Sequence, residues 1–194
     1  SAINNFAVRE ARGEYLLFLN NDVEIITESW LEEMLQLCQQ KDVGMVGAKL
    51  YYPDDTIQHA GVVVGLGGVA AHVLCKLPRD AEGYMGRLRC VQEISAVTAA
   101  CMMVKTSVFK AVGGFDEELK VAFNDIDLCM KVRKYGVKIV FTPYAELYHY
   151  ESKSRGMEDT PEKQLRFSRE VNCFRRKWER ELLKGDPYYN PNLT

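Results

Sequence analysis

The run Tyr15-Leu16-Leu17-Phe18-Leu19-Asn20-Asn21-Asp22 passes without transition from apolar residues to two amides and a carboxylate. A run this short and uniformly apolar suits a strand covered on both faces of a sheet. Its polar end puts Asn20, Asn21 and Asp22 at the carboxyl edge of that strand, where open α/β sheets bind ligands. A carboxylate there can hold a divalent cation, and the cation can hold a diphosphate. The same three residues also make an ordinary turn before a helix, and both readings stand at this point.

Upstream, Ile3, Phe6, Ala7 and Glu10 recur at helical spacing over residues 2–12, and Gly13 stops the helix. Downstream, Ser29 is placed to cap a helix carrying Trp30, Leu31, Met34, Leu35 and Cys38. A second buried strand is expected over 43–50, then a turn at Pro53-Asp54-Asp55. Residues 57–64 alternate only loosely, and Gly61, Gly65, Gly67 and Gly68 break the pattern into a loop. The stretch 75–89 has no period, which in a compact domain marks function or disorder. From Ile94 the chain is apolar again up to Val104, followed by a helix over 107–112 and a sharp Gly113-Gly114-Phe115-Asp116 turn. Asn124 or Asp125 can cap a helix ending at Gly136, with Leu128, Cys129, Val132 and Tyr135 on its inner face. A strand over 138–142 leads through Pro143 to Leu147-Tyr148-His149. Thr160-Pro161 opens a long helix with Phe167, Val171, Phe174, Trp178 and Leu182 on its buried stripe. Alternating strands and helices make this an α/β domain.

With 194 residues, 47% of them hydrophobic and 27% charged, the chain can build one sizeable core. A net charge of -2 gives no reason to expect a nucleic-acid partner. The six cysteines include no Cys-x-x-Cys pair and lie mostly in apolar runs, as reduced, packed thiols of a cytoplasmic protein would. No apolar stretch approaches the about 20 residues of a membrane span. The Arg175-Arg176-Lys177 run reads as a solvated helix face, with peripheral contact to anionic lipid at the inner face of the membrane as the sharper option.

Three polar clusters sit at element ends: Asn20 to Asp22, Asn124 to Asp127, and His149. Asp125 can be a helix cap and Asp127 a favourable first-turn charge. Residues two apart on a helix point in different directions, so the two aspartates do not share one task. No second histidine lies close to His149 in the sequence, which argues against zinc. A hard cation held by few protein groups plus phosphate oxygens fits better.

Taken in order, these segments resemble the inverting family 2 glycosyltransferases. The likeness is carried by Asn5-x7-Gly13-Glu14 with the strand ending in Asn20-Asn21-Asp22, and by Gly113-Gly114-Phe115-Asp116-Glu117. It continues through Asn124-Asp125-Ile126-Asp127-Leu128-Cys129, Arg133-x2-Gly136 and Tyr148-His149-x2-Ser152. The ending Asp186-Pro187-Tyr188-Tyr189-Asn190-Pro191-Asn192 is similar to tails of bacterial surface-polysaccharide enzymes.

The resemblance implies a GT-A fold, with a mixed sheet flanked by helices over residues 1–157 and a C-terminal helix and tail over 158–194. It implies that the nucleotide-binding strands at the family's N-terminus are missing here, so that exposed sheet edges favour self-association and the segment alone transfers sugar poorly. By the same likeness Asp125 is the catalytic base, Asp22 and His149 hold Mg²⁺ or Mn²⁺, and Asn5, Asn20 and Asn21 face the nucleotide-sugar donor. Asp127, Cys101 and Gly114 are expected on the side of the glycan or glycolipid acceptor, bordered by the 61–68 and 75–92 segments. His59 and His72 lie in or near those segments, with structural or substrate-orienting roles. Two positions depart from the family pattern: Asn20 stands for an aspartate, which weakens cation binding, and Asn124 for a glutamate. The implied activity is inverting sugar transfer in cell-surface polysaccharide synthesis, of a rhamnose-transferring type. A nucleotidyltransferase and a non-catalytic carbohydrate-binding module are the competing readings.

Overall fold

The computed structural model describes residues 1–151, 160–190 and 192. Helix α1 (Ala2–Glu10) leads into β1 (Tyr15–Leu19), β2 (Val23–Ile25), α2 (Trp30–Cys38) and β3 (Val43–Tyr51). Three short strands follow, β4 (Ile57–His59), β5 (Val62–Val64) and β6 (Ala70–His72), and then β7 (Gln92–Glu93) and β8 (Cys101–Lys105). The remainder is α3 (Thr106–Ala111), α4 (Asn124–Tyr135), β9 (Lys138–His149) and α5 (Pro161–Lys184). The main sheet has the order β1-β8-β3-β9-β2, with β4 on β3 and β7 on β9. Only β3 and β9 run parallel among these pairs, so the sheet is mixed.

Strand β3 is buried along its whole length, as its continuous apolar run predicts. Alternation sends Met45 to one core, with Phe141, Phe174 and Trp178, and Val46 to another, with Trp30, Met34 and Cys38 of α2. Gly47 has a specific task. A Cβ there would lie 2.3 Å from a Val97 methyl, so only glycine lets residues 94–99 cross directly over the sheet. That crossing explains why the apolar stretch from Ile94 yields a strand only from Cys101 onward. Pro143 does not end β9: it falls inside a register shift, where Gly47 pairs with Phe141 and Lys49 already with Glu146. A bulge absorbs the missing proline N–H.

The expected 57–64 loop is instead β4 and β5, turned at Gly61 (φ 108°), and the glycines beyond it shape a β5–β6 hairpin. Ser29 occupies the α2 N-cap without a side-chain bond to the helix. Thr160 does cap α5, accepting from the Lys163 amide at 3.3 Å. Tyr135 and Phe167, expected inside, are 56% and 42% exposed, because α4 and α5 each bury a narrower stripe than their apolar residues define. Ser152 and the 157/158 boundary lie outside the described residues.

Candidate active site

The β2–β9 ladder sets Val23 opposite His149, and the Tyr150 amide donates to the Asp22 carbonyl at 2.8 Å. This brings His149 Nε2 to 3.3 Å from Asp22 Oδ1 and 3.0 Å from Asn20 Nδ2. The proton on the ring follows from its other neighbour. Gln58 Nε2 donates to the His149 carbonyl at 3.2 Å and to Glu151 Oε2 at 3.4 Å, so Gln58 Oε1 must be the acceptor facing His149 Nδ1 at 2.7 Å. In its neutral form the imidazole carries its proton on Nδ1, and the Nε2 lone pair beside Asp22 accepts from Asn20 Nδ2, a contact that a bound cation would displace. Asp22 Oδ1 is buried and, among the described residues, has no hydrogen-bond partner. Two lone-pair atoms facing each other without a proton between them are what a cation completes. Among the described residues no group of three or more His, Cys, Asp or Glu gathers for a metal. The chain thus fits a hard cation through two groups, the other positions being left to ligand oxygens.

Asp125 lies in the first turn of α4, but neither it nor Asn124 caps the helix. The N-cap is Phe123, in the left-handed region at φ 61°. That conformation is strained for a residue with a side chain and is enforced from outside. The Phe123 ring packs on Phe167 and Phe174, and Glu170 of α5 accepts from the consecutive amides of Lys120, Val121 and Ala122 at 3.0, 3.1 and 2.8 Å. Asp125 is half-buried; its Oδ1 accepts from Ile126 N at 2.9 Å and its Oδ2 from Ala99 N at 3.1 Å. A carboxylate has about four lone-pair sites, so capacity remains for a hydroxyl. The next residue, Ala100, accepts from Asn20 N at 2.9 Å, so one short segment ties the aspartate to the Asn20–Asp22 edge.

Other residues singled out from sequence are placed elsewhere. Asp127 is fully buried between α4 and α5, bound by Trp178 Nε1 at 2.8 Å, Lys131 at 2.9 Å and Lys177 at 2.7 Å, which leaves no face for an acceptor. Cys101 packs on Met34 in the α2 core, and burial pushes its thiol up to about 12. Gly114 lies against Phe109 and Asn5, whose side chain joins Phe115 N and O at 3.0 and 2.9 Å. That pairing anchors α1 to the Gly-Gly-Phe turn. Asn21 is exposed beside Asp22. Within the basic run, Arg175 donates to Gly68 O at 3.0 Å and Lys177 reaches Asp116, so two of its three charges face the protein. All six cysteines are free thiols, with 38, 101 and 129 buried and Cys90 exposed.

Sequence reading missed Gln58 and Glu170. A glutamine inside an apolar strand and a glutamate on a helix otherwise rich in exposed charge are the only signals they leave.

A model of the glycosyltransferase-like family matches residues 1–170. The chain belongs to this glycosyltransferase family. It is 58% identical over its full length to the uncharacterized protein y4gI of Sinorhizobium fredii, spanning 21% of that protein. It is also 42% identical, again over its full length, to the O-antigen biosynthesis protein RfbC of Myxococcus xanthus, spanning 15% of it. The chain thus covers about a fifth or less of the length of these curated relatives. The mannosyltransferase PcManGT of Pyrobaculum calidifontis, solved with GDP-Man and Mn²⁺, superposes with a TM-score of 0.57 at 16% identity, over 91% of this chain and 42% of that one. The likeness establishes the GT-A fold for this glycosyltransferase.

Proposed function

We propose that the protein containing these residues transfers a sugar from a nucleotide-diphosphate donor to a hydroxyl of a glycan or glycolipid, with inversion. The proposal includes a role in cell-surface polysaccharide synthesis at the cytoplasmic side of the membrane. The observation that carries it is the pair Asp22 Oδ1 and His149 Nε2 at 3.3 Å, its oxygen without a hydrogen-bond partner among the described residues, joined through residues 99 and 100 to Asp125. A divalent cation bound there would supply positive charge to a departing diphosphate. Asp22 contributes one anionic oxygen, and His149 one nitrogen oriented by Gln58. Asn20 and Asn21 stand at the same edge, where their amides can meet donor oxygens. Asp125, fixed by two backbone N–H groups, accepts the proton of the incoming hydroxyl as that oxygen bonds to the anomeric carbon. Base help of this kind is worth about 10²–10⁴ in rate. Attack from the face opposite the diphosphate inverts the anomeric centre.

The test is transfer by the full-length protein over a panel of nucleotide sugars with Mn²⁺. Asp125→Asn should abolish glycoside formation while donor binding persists. Wild-type transfer by that variant would overturn the assignment and favour a non-catalytic carbohydrate-binding role. Pyrophosphate release in place of nucleoside diphosphate would point to a nucleotidyltransferase.

A further inference from the structure

Beyond the Asp22–His149 edge, β5, β6 and the 84–95 segment enclose a cavity of about 360 Å³, within the range of small-molecule sites. Its floor is apolar, with Ala60, Val62 and Ile94, and its remaining wall is the Asp186-Pro187-Tyr188-Tyr189 segment that follows α5. That wall is fastened. Asp186 accepts from Val64 N at 2.8 Å and from Ser95 Oγ at 2.7 Å, and Tyr188 bonds Glu93 through its hydroxyl while the Arg133 guanidinium lies 5.5 Å from its ring. Both Asp186 oxygens are thus occupied. Tyr84, 57% exposed, stands in the lining as a second aromatic face.

One polar group of the lining has its protonation dictated from below. The Thr98 amide donates to His59 Nε2 at 3.5 Å, which places the proton of that buried ring on Nδ1. His59 Nδ1 lies 2.9 Å from His72 Nδ1, so His59 donates and His72 accepts. The His72 proton is therefore on Nε2, and this N–H remains a donor on an exposed residue of the cavity lining. The cavity also adjoins the base. Ser95 is in its wall, and the same run carries Thr98 onto His59 and Ala99 onto Asp125.

We propose that this cavity seats a pyranose ring of the acceptor, its C–H face against Tyr84 and Tyr188 and one hydroxyl accepting from His72 Nε2–H. The proposal rests on the glycosyltransferase reading, and it assigns a wall of the acceptor site to the C-terminal Asp186-Pro187-Tyr188-Tyr189 segment. A sugar suits the lining because it presents an apolar face and a polar rim together, as tyrosines beside a fixed donor require.

Saturation-transfer NMR on the full-length protein, with neither donor nor metal, tests the pocket apart from the chemistry. The probes are methyl glycosides of glucose, galactose, mannose and rhamnose, together with octyl β-D-glucoside. Ring protons of at least one methyl glycoside should receive saturation. Its affinity should fall about fivefold in His72→Ala and in Tyr84→Ala, one hydrogen bond or one stacking face being lost. Tyr84 is exposed, so that variant keeps the fold, which an unchanged Tm verifies. Three results would overturn the proposal: no saturation of any ring, saturation confined to the octyl chain, or unaltered binding in both variants. Loss of transfer in Asp125→Asn with ring binding intact would uphold both readings. Ring binding with no transfer by the wild type would retain the pocket and remove the catalytic reading.

Discussion

At the scale of single residues, the outcome turns on which atoms have protons to give. Asn20 donates toward His149 Nε2 at 3.0 Å, so it occupies the lone pair that a cation would use. Asn20→Asp would replace that donor with a second anionic oxygen beside Asp22. Charges about 4 Å apart near a protein surface interact by roughly 1–4 kcal/mol. The variant should bind Mn²⁺ at least about tenfold more tightly, and lose thermal stability without metal because two carboxylates then face each other. Calorimetric titration with Mn²⁺ measures the first effect and melting in chelator the second; unchanged affinity would mean that residue 20 does not face the ion. Gln58→Leu should act in the opposite sense. It leaves His149 Nδ1–H without its acceptor and frees the ring to turn, and loss of such an orienting partner typically costs about 10–100-fold in metal affinity. Asp22, Asp125 and His149 could be singled out from the sequence because they follow one another in an ordered motif set. Gln58 was not, since a glutamine acquires its role only when β4 is laid beside the end of β9.

At the scale of elements, apolar runs settled β1 and β3, while end chemistry settled less. The α4 start was misread because Asn and Asp are good caps in general, whereas here a left-handed Phe123 turns the chain into the helix. What holds that turn is α5, through Glu170 and the Phe123, Phe167 and Phe174 rings. No local pattern could show this, because Glu170 acts on amides 48–50 residues earlier. Glu170→Ala would leave three amides without their acceptor, each costing about 1–3 kcal/mol if water cannot reach it. We expect about 2–4 kcal/mol of lost stability in urea unfolding. Among folded molecules we expect a fall in kcat with little change in donor KM, because Asp125 is displaced while the Asp22–His149 pair is not. A donor KM that rises in parallel with the fall in kcat would show that the helix supports the whole cleft and not Asp125 alone.

At the scale of the whole molecule, the helices pack on the mixed sheet as the α/β reading requires, but the crossing of residues 94–99 over Gly47 organises the interior. That segment meets His59 through Thr98, Asp125 through Ala99 and Asn20 through Ala100, so the pair of buried His59 and exposed His72 is wired into the centre of the fold. Burial, then the neighbouring His72 and His149, holds His59 well below its ordinary value of 6.5. The His72 ring is lowered as well, by burial, although Asp125 and Glu151 pull it upward. An unfolded chain takes up these protons near 6.5 while the folded one does not, so in that window the unfolded state binds more protons and stability rises with pH. The contribution is therefore complete above pH 7 and shrinks as pH falls below about 6.5, by up to about 1.4 kcal/mol per unit for each such histidine. Asp116 contributes in a different range: burial raises it, but the Lys177 hydrogen bond, the Glu118 amide and the Lys177 and Lys131 charges together lower it, and its stabilisation is lost only as pH falls below the ordinary carboxylate value of 3.8. Melting temperature should thus be flat from pH 8 to 7 and decline steadily from 6.5 to 5. In His59→Asn the decline should be shallower, since the asparagine cannot take up a proton. Parallel curves for the two proteins would show that the acid sensitivity arises elsewhere, and that the histidine pair accommodates a proton without loosening the segment whose Ala99 holds Asp125.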